Sequence, residues 1–255
     1  GYYSDVSDAI DYIKQLDSGF YRIGGLESAI NPYCTPLYFN IYDSKYYTNI
    51  DNKTYSFLNE VYPESFINNL GTKYSSGVST DLNLSTLTAY KYWLSTDEDE
   101  ENVPYGYSFL TTVGNIKIYK NEFALPIGVT YDKFIRESEF KQYSDEEQRK
   151  ILLYCLVLED NMLLETNIKE ISKEEIMDIL EGDSDEVYER SVQDRLNYSF
   201  IIDEWKEDDI KGTIEVDEEQ ILVFSIPNVS GWDVYVDGEK CQGYDANIGF
   251  IGITL

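Results

Sequence analysis

The chain contains no histidine. That absence removes Ser-His-Asp and Cys-His catalysis, an imidazole general base and every zinc site that needs a His ligand. Cysteine is almost as scarce. Cys34, Cys155 and Cys241 lie far apart with no Cys-x-x-Cys, so neither a metal cluster nor a dense disulfide framework is supported. Three buried small hydrophobes are expected, with one disulfide and a free thiol as the alternative. No apolar run approaches the roughly 18 residues of a membrane span and no charged-then-apolar leader opens the chain, so a soluble molecule is expected. Positive charge is the remaining shortage: Lys and Arg total 20 against 48 Asp and Glu, a formal charge of −28. Such a field repels phosphates at long range and argues against nucleic acid as a partner.

What the sequence does have is apolar and aromatic content. Its 255 residues are 42% hydrophobic and 15% aromatic, enough for the core of one large domain or two modest ones, and disorder is excluded as the main description. The distribution is uneven. Residues 1–94 hold 14 of the 24 Tyr with 6 basic and 10 acidic side chains, whereas residues 95–255 carry 14 basic and 38 acidic ones. A Tyr-rich α+β region, 1–94, and an acidic region, 95–255, are therefore expected, able to pack as one domain. The run Asp97-Glu98-Asp99-Glu100-Glu101-Asn102 between them reads as a solvated loop.

Local patterning predicts an α+β fold. Val6, Ala9, Ile10, Ile13 and Leu16 keep helical spacing over 5–17, with Ser4 or Asp5 as cap and Gly19 as stop. Phe20 to Ile23 reads as a strand, and Phe57 to Leu70 as a helix interrupted by Pro63. Asn115 to Lys120 alternates like a half-buried strand and Phe123 to Tyr131 reads as another, and the strands at 116–131 are expected to be able to join the terminal sheet. Two capping boxes, Ser144 with Glu147 and Ser172 with Glu175, announce helices over 145–158 and 172–181. From Ile210 on, short alternating runs and the hairpin signal Asp237-Gly238 predict a C-terminal antiparallel β-sandwich, with Trp232 as a core anchor.

Chemistry-bearing patterns are thin. With 48 carboxylates, no glycosidase pair can be picked from sequence, and no catalytic residue is assigned. Asp97–Glu101, Asp183–Glu186 and Asp203–Asp209 offer clustered oxygens, but none fits a calcium loop, so solvated acidic loops are expected and no metal site. Four Asn-x-Ser/Thr sequences, at Asn52, Asn83, Asn197 and Asn228, match a pattern that is frequent by chance. The Tyr excess has two readings: rings that stack on sugars, or side chains that fill half-buried strands with a wet hydroxyl. Gly1-Tyr2-Tyr3 without an initiator Met, and a final strand without a polar tail, suggest that both ends are cuts in a longer protein.

Several segments resemble YfhO-family bacterial membrane proteins. Phe224-Ser225-Ile226-Pro227, Gly231-Trp232-Asp233-Val234-Tyr235-Val236-Asp237-Gly238-Glu239-Lys240 and Gly249-Phe250-Ile251-Gly252-Ile253 resemble that family's C-terminal motif. Phe20-Tyr21-Arg22-Ile23, Ala89-Tyr90-Lys91-Tyr92, Tyr119-Lys120-Asn121 and Ala124-Leu125-Pro126-Ile127-Gly128 resemble its upstream segments in the same order. Asn228 and Val229 depart from the aromatic usual after the Pro, Glu239 stands where the family has Lys, and the chain stops before the family's next strand.

The resemblance implies a polytopic GT-C type glycosyltransferase. Such an enzyme uses a polyprenyl-phosphate sugar donor to glycosylate cell-envelope polymers such as lipoteichoic acid, in a Gram-positive bacterium. The catalytic acid of such an enzyme sits in its membrane portion, so this chain would be a non-catalytic extracytoplasmic domain at the face of the cell membrane, without a cofactor of its own. Its partners would be the glycopolymer acceptor or a membrane partner protein. The alternative is a secreted carbohydrate-binding or adhesion module; a secreted glycosidase is a third and disfavoured reading. A strongly acidic surface repels an anionic polymer, which points to the less charged Tyr33–Tyr55 stretch and, within it, to Tyr38, Tyr42, Tyr46 and Tyr47. Replacing the exposed members of this group by Ala is expected to weaken binding to purified teichoic acid, followed by calorimetry, with the melting temperature nearly unchanged.

Overall fold

The computed structural model describes residues 2–25, 51–69, 72–75, 78–96, 103–164, 166–206 and 208–255. The chain forms two compact units, residues 1–49 with 66–126 and residues 50–65 with 127–255.

The first unit is built on the amphipathic helix Tyr2–Leu16, whose Val6, Ala9, Ile10 and Ile13 are fully buried. It starts ahead of the expected caps. Asp5 lies inside it and accepts bonds from the main-chain and side-chain amides of Asn115 at 3.2 and 3.0 Å. The strands of this unit are β1 (Arg22–Gly25), β2 (Phe66–Asn69), β3 (Thr72–Ser75), β4 (Tyr90–Ser95), β5 (Tyr107–Val113) and β6 (Ile116–Asn121). β2 and β3 form a hairpin. The others make a sheet in the order β1-β4-β6-β5, with β1 parallel to β4 and the remaining pairs antiparallel. The helix packs its apolar stripe on Ile23, Tyr92, Leu94, Ile116 and Ile118.

The segments shared with the YfhO pattern hold this sheet together. Pairing β1 with β4 sets Phe20–Ile23 beside Tyr90–Tyr92, and at their end Asp17 gathers three donors. Lys91 Nζ and Tyr92 Oη donate to Oδ2 at 2.5 and 2.9 Å, and the Gly19 amide donates to Oδ1 at 2.9 Å. Burial alone would raise the Asp17 carboxyl; these bonds outweigh it and hold it below the usual range. Burial, reinforced by the Asp17 charge, pushes the Tyr21 hydroxyl up to about 12 and Tyr92 higher still. Arg22 caps the Thr88 carbonyl, and Asn121 Nδ2 donates to the Tyr90 carbonyl at 3.1 Å.

The second unit opens with the helix Asn52–Val61, capped by Asp51, which accepts the amides of Lys53 and Thr54 at 2.9 Å each. This corrects the helix expected over 57–70. It begins earlier at a true N-cap and stops at Val61 ahead of Pro63, and Phe66–Asn69 is strand β2.

The strands of this unit are β7 (Gly128–Tyr131), β8 (Lys133–Arg136), β9 (Leu156–Leu158), β10 (Lys169–Glu170), β11 (Ile201–Trp205), β12 (Ile210–Thr213), β13 (Ile221–Pro227), β14 (Val234–Val236), β15 (Glu239–Cys241), β16 (Tyr244–Ala246) and β17 (Phe250–Thr254). Seven of them form a mixed sheet in the order β10-β8-β9-β16-β17-β13-β7. The C-terminal strands pair antiparallel as expected, and β8 with β9 and β10 adds a parallel edge. β7 joins this sheet whereas β6 belongs to the first unit's sheet. The hairpins β11–β12 and β14–β15 stand outside it. Asp237 and Gly238 turn the second with φ of 52° and 82°, the left-handed pair that a tight hairpin needs. Trp232 precedes β14 and is only half-buried, so it does not anchor the core.

Both capping boxes form, at Ser144 with Glu147 and at Ser172 with Glu175. The first helix is Asp145–Tyr154 and does not reach residue 158, because Leu156-Val157-Leu158 is a wholly buried apolar run that extends as β9 beside β8. Asp183–Glu186, read from sequence as a solvated loop, starts the helix Ser184–Leu196: Asp183 accepts the amides of Asp185 and Glu186 at 3.2 and 3.1 Å. That helix delivers Arg195 into the core, where it donates to the Thr130 carbonyl at 2.7 Å and lies 4.4 Å from the centre of the Tyr131 ring.

One ion pair ties β8 to a capping box. Lys133 Nζ donates to Glu175 at 2.6 Å, and this bond, with those from Ser172, lowers the Glu175 carboxyl to about 2. A carboxyl lowered on folding adds stability that is present above its unfolded value, about 4.3, and is lost as pH falls towards 2. Lys133→Met is expected to flatten the dependence of urea stability on pH below about 4.5, measured against the unaltered chain.

Candidate functional site

Tyr38, Tyr42, Tyr46 and Tyr47 lie outside the described residues. Among the described residues, no group of three or more His, Cys, Asp or Glu is placed to hold a metal ion. The acidic stretch near residue 203 is a hairpin in which Glu204 pairs with Lys206 and Lys211 at 2.5 and 2.9 Å, and Asp209 with Lys211 at 2.8 Å. Cys155 is a free, fully buried thiol that burial pushes up to about 12, as suits a small hydrophobe; Cys241 is free and half-buried. Cys34 lies outside the described residues.

A concave site does exist in the second unit. It is a cavity of about 130 Å³ lined by Lys53, Ser56, Glu137, Val157, Leu158, Glu159, Asp245 and Ile248. The helix Asn52–Val61 contributes Lys53 and Ser56, the turn of helix after β8 contributes Glu137, and β9 with its exit contributes Val157 to Glu159. Asp245 comes from β16. Ile248 comes from the turn between β16 and β17.

That turn is strained. Asn247, Ile248 and Gly249 have φ of 47°, 65° and 131° in succession. Asn tolerates the left-handed region and Gly adopts it freely, but a β-branched Ile there costs energy that the surroundings must supply. They supply it through hydrogen bonds. The Asn247 amide donates to the Val157 carbonyl at 2.9 Å, and Asn247 Oδ1 accepts the Val157 amide at 2.9 Å. The Asn228 amide donates to the Gly249 carbonyl at 2.8 Å. A Cβ at Gly249 would stand 3.0 Å from Lys53 Cβ, so glycine also lets the helix approach.

Charges around the cavity are unevenly paired. Lys53 makes an ion pair with Asp245, whose other oxygen accepts Asn228 Nδ2 at 2.7 Å. Glu137 is paired with Lys141 at 2.5 Å. Glu159 gives its main-chain carbonyl to Arg136 at 2.9 Å, while among the described residues its carboxylate makes no hydrogen bond or ion pair. The arrangement gathers carboxylates, an ion-paired ammonium, a hydroxyl and an apolar side chain around one cavity.

The family model of the bacterial membrane protein YfhO matches residues 1–183 and 179–255. The chain belongs to the YfhO family. No curated protein and no solved structure matches it. Among the described residues of this YfhO-family chain, no helix is long and apolar enough to cross a membrane. The YfhO-like segments named from sequence reach the cavity's edge only at Gly249 and, through Asn228, just beyond Pro227. The lining residues themselves carry no signal of a shared site in the sequence; Asp51, which caps the helix bearing Lys53, and Asn247 and Gly249, which flank Ile248, only mark local turns.

Because Asn247 answers both polar groups of buried Val157, Asn247→Ala is expected to destabilise the chain by about 1–3 kcal/mol in urea unfolding, and Gly249→Ala to add strain at the same turn.

Proposed function

We propose that this chain is the extracytoplasmic domain of a polytopic YfhO-family glycosyltransferase acting on a lipoteichoic acid-like envelope polymer, and that it recognises the acceptor or a membrane partner without catalysing transfer itself. The observation that carries the reading is the family match across the whole chain. The cavity of the second unit offers a place for such recognition. In this reading the polyprenyl-phosphate sugar and the catalytic acid belong to the membrane portion. The Tyr38–Tyr47 stretch and the Lys53–Asp245 cavity are its two recognition candidates.

The test uses the full-length protein in intact cells. A single Cys introduced at the exposed position Tyr235 is expected to react with a membrane-impermeant maleimide before lysis, after Cys34, Cys155 and Cys241 are replaced by Ser. Labelling only after lysis overturns the extracytoplasmic placement. Binding of purified teichoic acid to the isolated chain tests acceptor recognition separately, and turnover of a glycoside by this chain alone would overturn the non-catalytic role.

A further inference from the structure

We propose that the cavity at Lys53, Ser56 and Glu159 takes a primary ammonium group carried on a small hydroxylated ligand, such as one amino-bearing sugar residue. The inference rests on the cavity being a recognition site of this domain.

Charge decides the class. Of the lining groups, Lys53 is held by Asp245, and Glu137 is held by Lys141 from outside the lining. Among the described residues the Glu159 carboxylate makes no hydrogen bond or ion pair, and the Ser56 hydroxyl, also in the lining, makes no hydrogen bond. An anion entering here would meet this surplus charge and the field of a chain carrying −28 overall. A neutral ligand would strip water from Glu159 without replacing what water gives it. A cation neutralises it, and the long-range field draws it in.

The lining also selects the kind of cation. A primary ammonium has three donors, which the carboxylates around the cavity and Ser56 can accept, and a charge-assisted bond to Glu159 is the strong one. A quaternary ammonium has no N–H and is recognised by aromatic faces, and no aromatic residue lines this cavity. Ile248, half-buried at the lining, supplies the apolar wall for the C–H face of a ring. The cavity, about 130 Å³ and lined by eight residues, suits one small group and not a length of polymer. The Asn247–Gly249 turn, held at both ends, fixes Ile248 so that the wall is present before the ligand arrives.

Glucosamine and glucose differ by one group, an amine for a hydroxyl, and separate charge recognition from shape. At about pH 6, where the amine is protonated, and in low salt, titration by NMR is expected to show glucosamine binding at least about tenfold tighter than glucose. Ethanolamine is expected to compete and choline not to. Glu159→Gln is expected to weaken glucosamine about tenfold and abolish the preference over glucose. Its melting temperature should stay unchanged, since Glu159 is exposed. Equal binding of glucosamine and glucose, no binding of either at millimolar concentration, or an unaltered preference in Glu159→Gln overturns the proposal. If the chain binds teichoic acid but not glucosamine, only this inference falls. If it binds glucosamine but no acceptor polymer, acceptor recognition falls and the ammonium site stands.

Discussion

The second unit depends on the paired hydrogen bonds between Asn247 and Val157. They join the turn between β16 and β17 to β9 at the point where the parallel edge of the sheet meets its antiparallel part, a seam with only one ladder pair, Ala246 with Leu158. Without them Ile248 has no reason to remain at a positive φ, and with it would go the cavity wall and the support under Gly249 that lets the helix Asn52–Val61 come close. The cavity therefore rests on a buried amide side chain.

Burial and pairing likewise explain what the family segments do. Lys91 and Tyr92 meet at Asp17, Arg22 closes on Thr88, and Asn121 reaches back to Tyr90. Each satisfies a polar group beside a strand of the first unit's sheet. Phe224 and Phe250 to Ile253 supply the pairing of β13 with β17 in the second. The motif residues thus frame the sheet of each unit.

The acidity that dominates the composition is partly structural. Asp51, Asp81 and Asp183 cap helices, Glu147 and Glu175 complete capping boxes, and Glu175 also binds Lys133 across to β8. Such carboxylates are already committed to amides or cations. Glu159 differs: among the described residues its carboxylate, in the lining of a cavity, makes no hydrogen bond or ion pair, while Arg136 reaches only its main-chain carbonyl.

Local chemistry was legible in the sequence. The two capping boxes, the Asp237-Gly238 turn, the apolar stripe of the first helix and the antiparallel pairing of the last strands all follow from residues close together in the chain, where propensity and hydrogen-bond geometry act alone. Residues 57–70 and 155–158 read as helix because apolar spacing in short runs does not separate a helix from a buried strand. Pro63, and burial beside β8, decided those cases. Only the tertiary structure could place residues 50–65 with 127–255, bring Lys53 to Asp245 and leave Glu159 unpaired, because these relations join positions far apart in the chain. The sequence determined which elements form and that the chain carries a large negative charge; long-range packing alone decided which carboxylates find partners and which line the cavity.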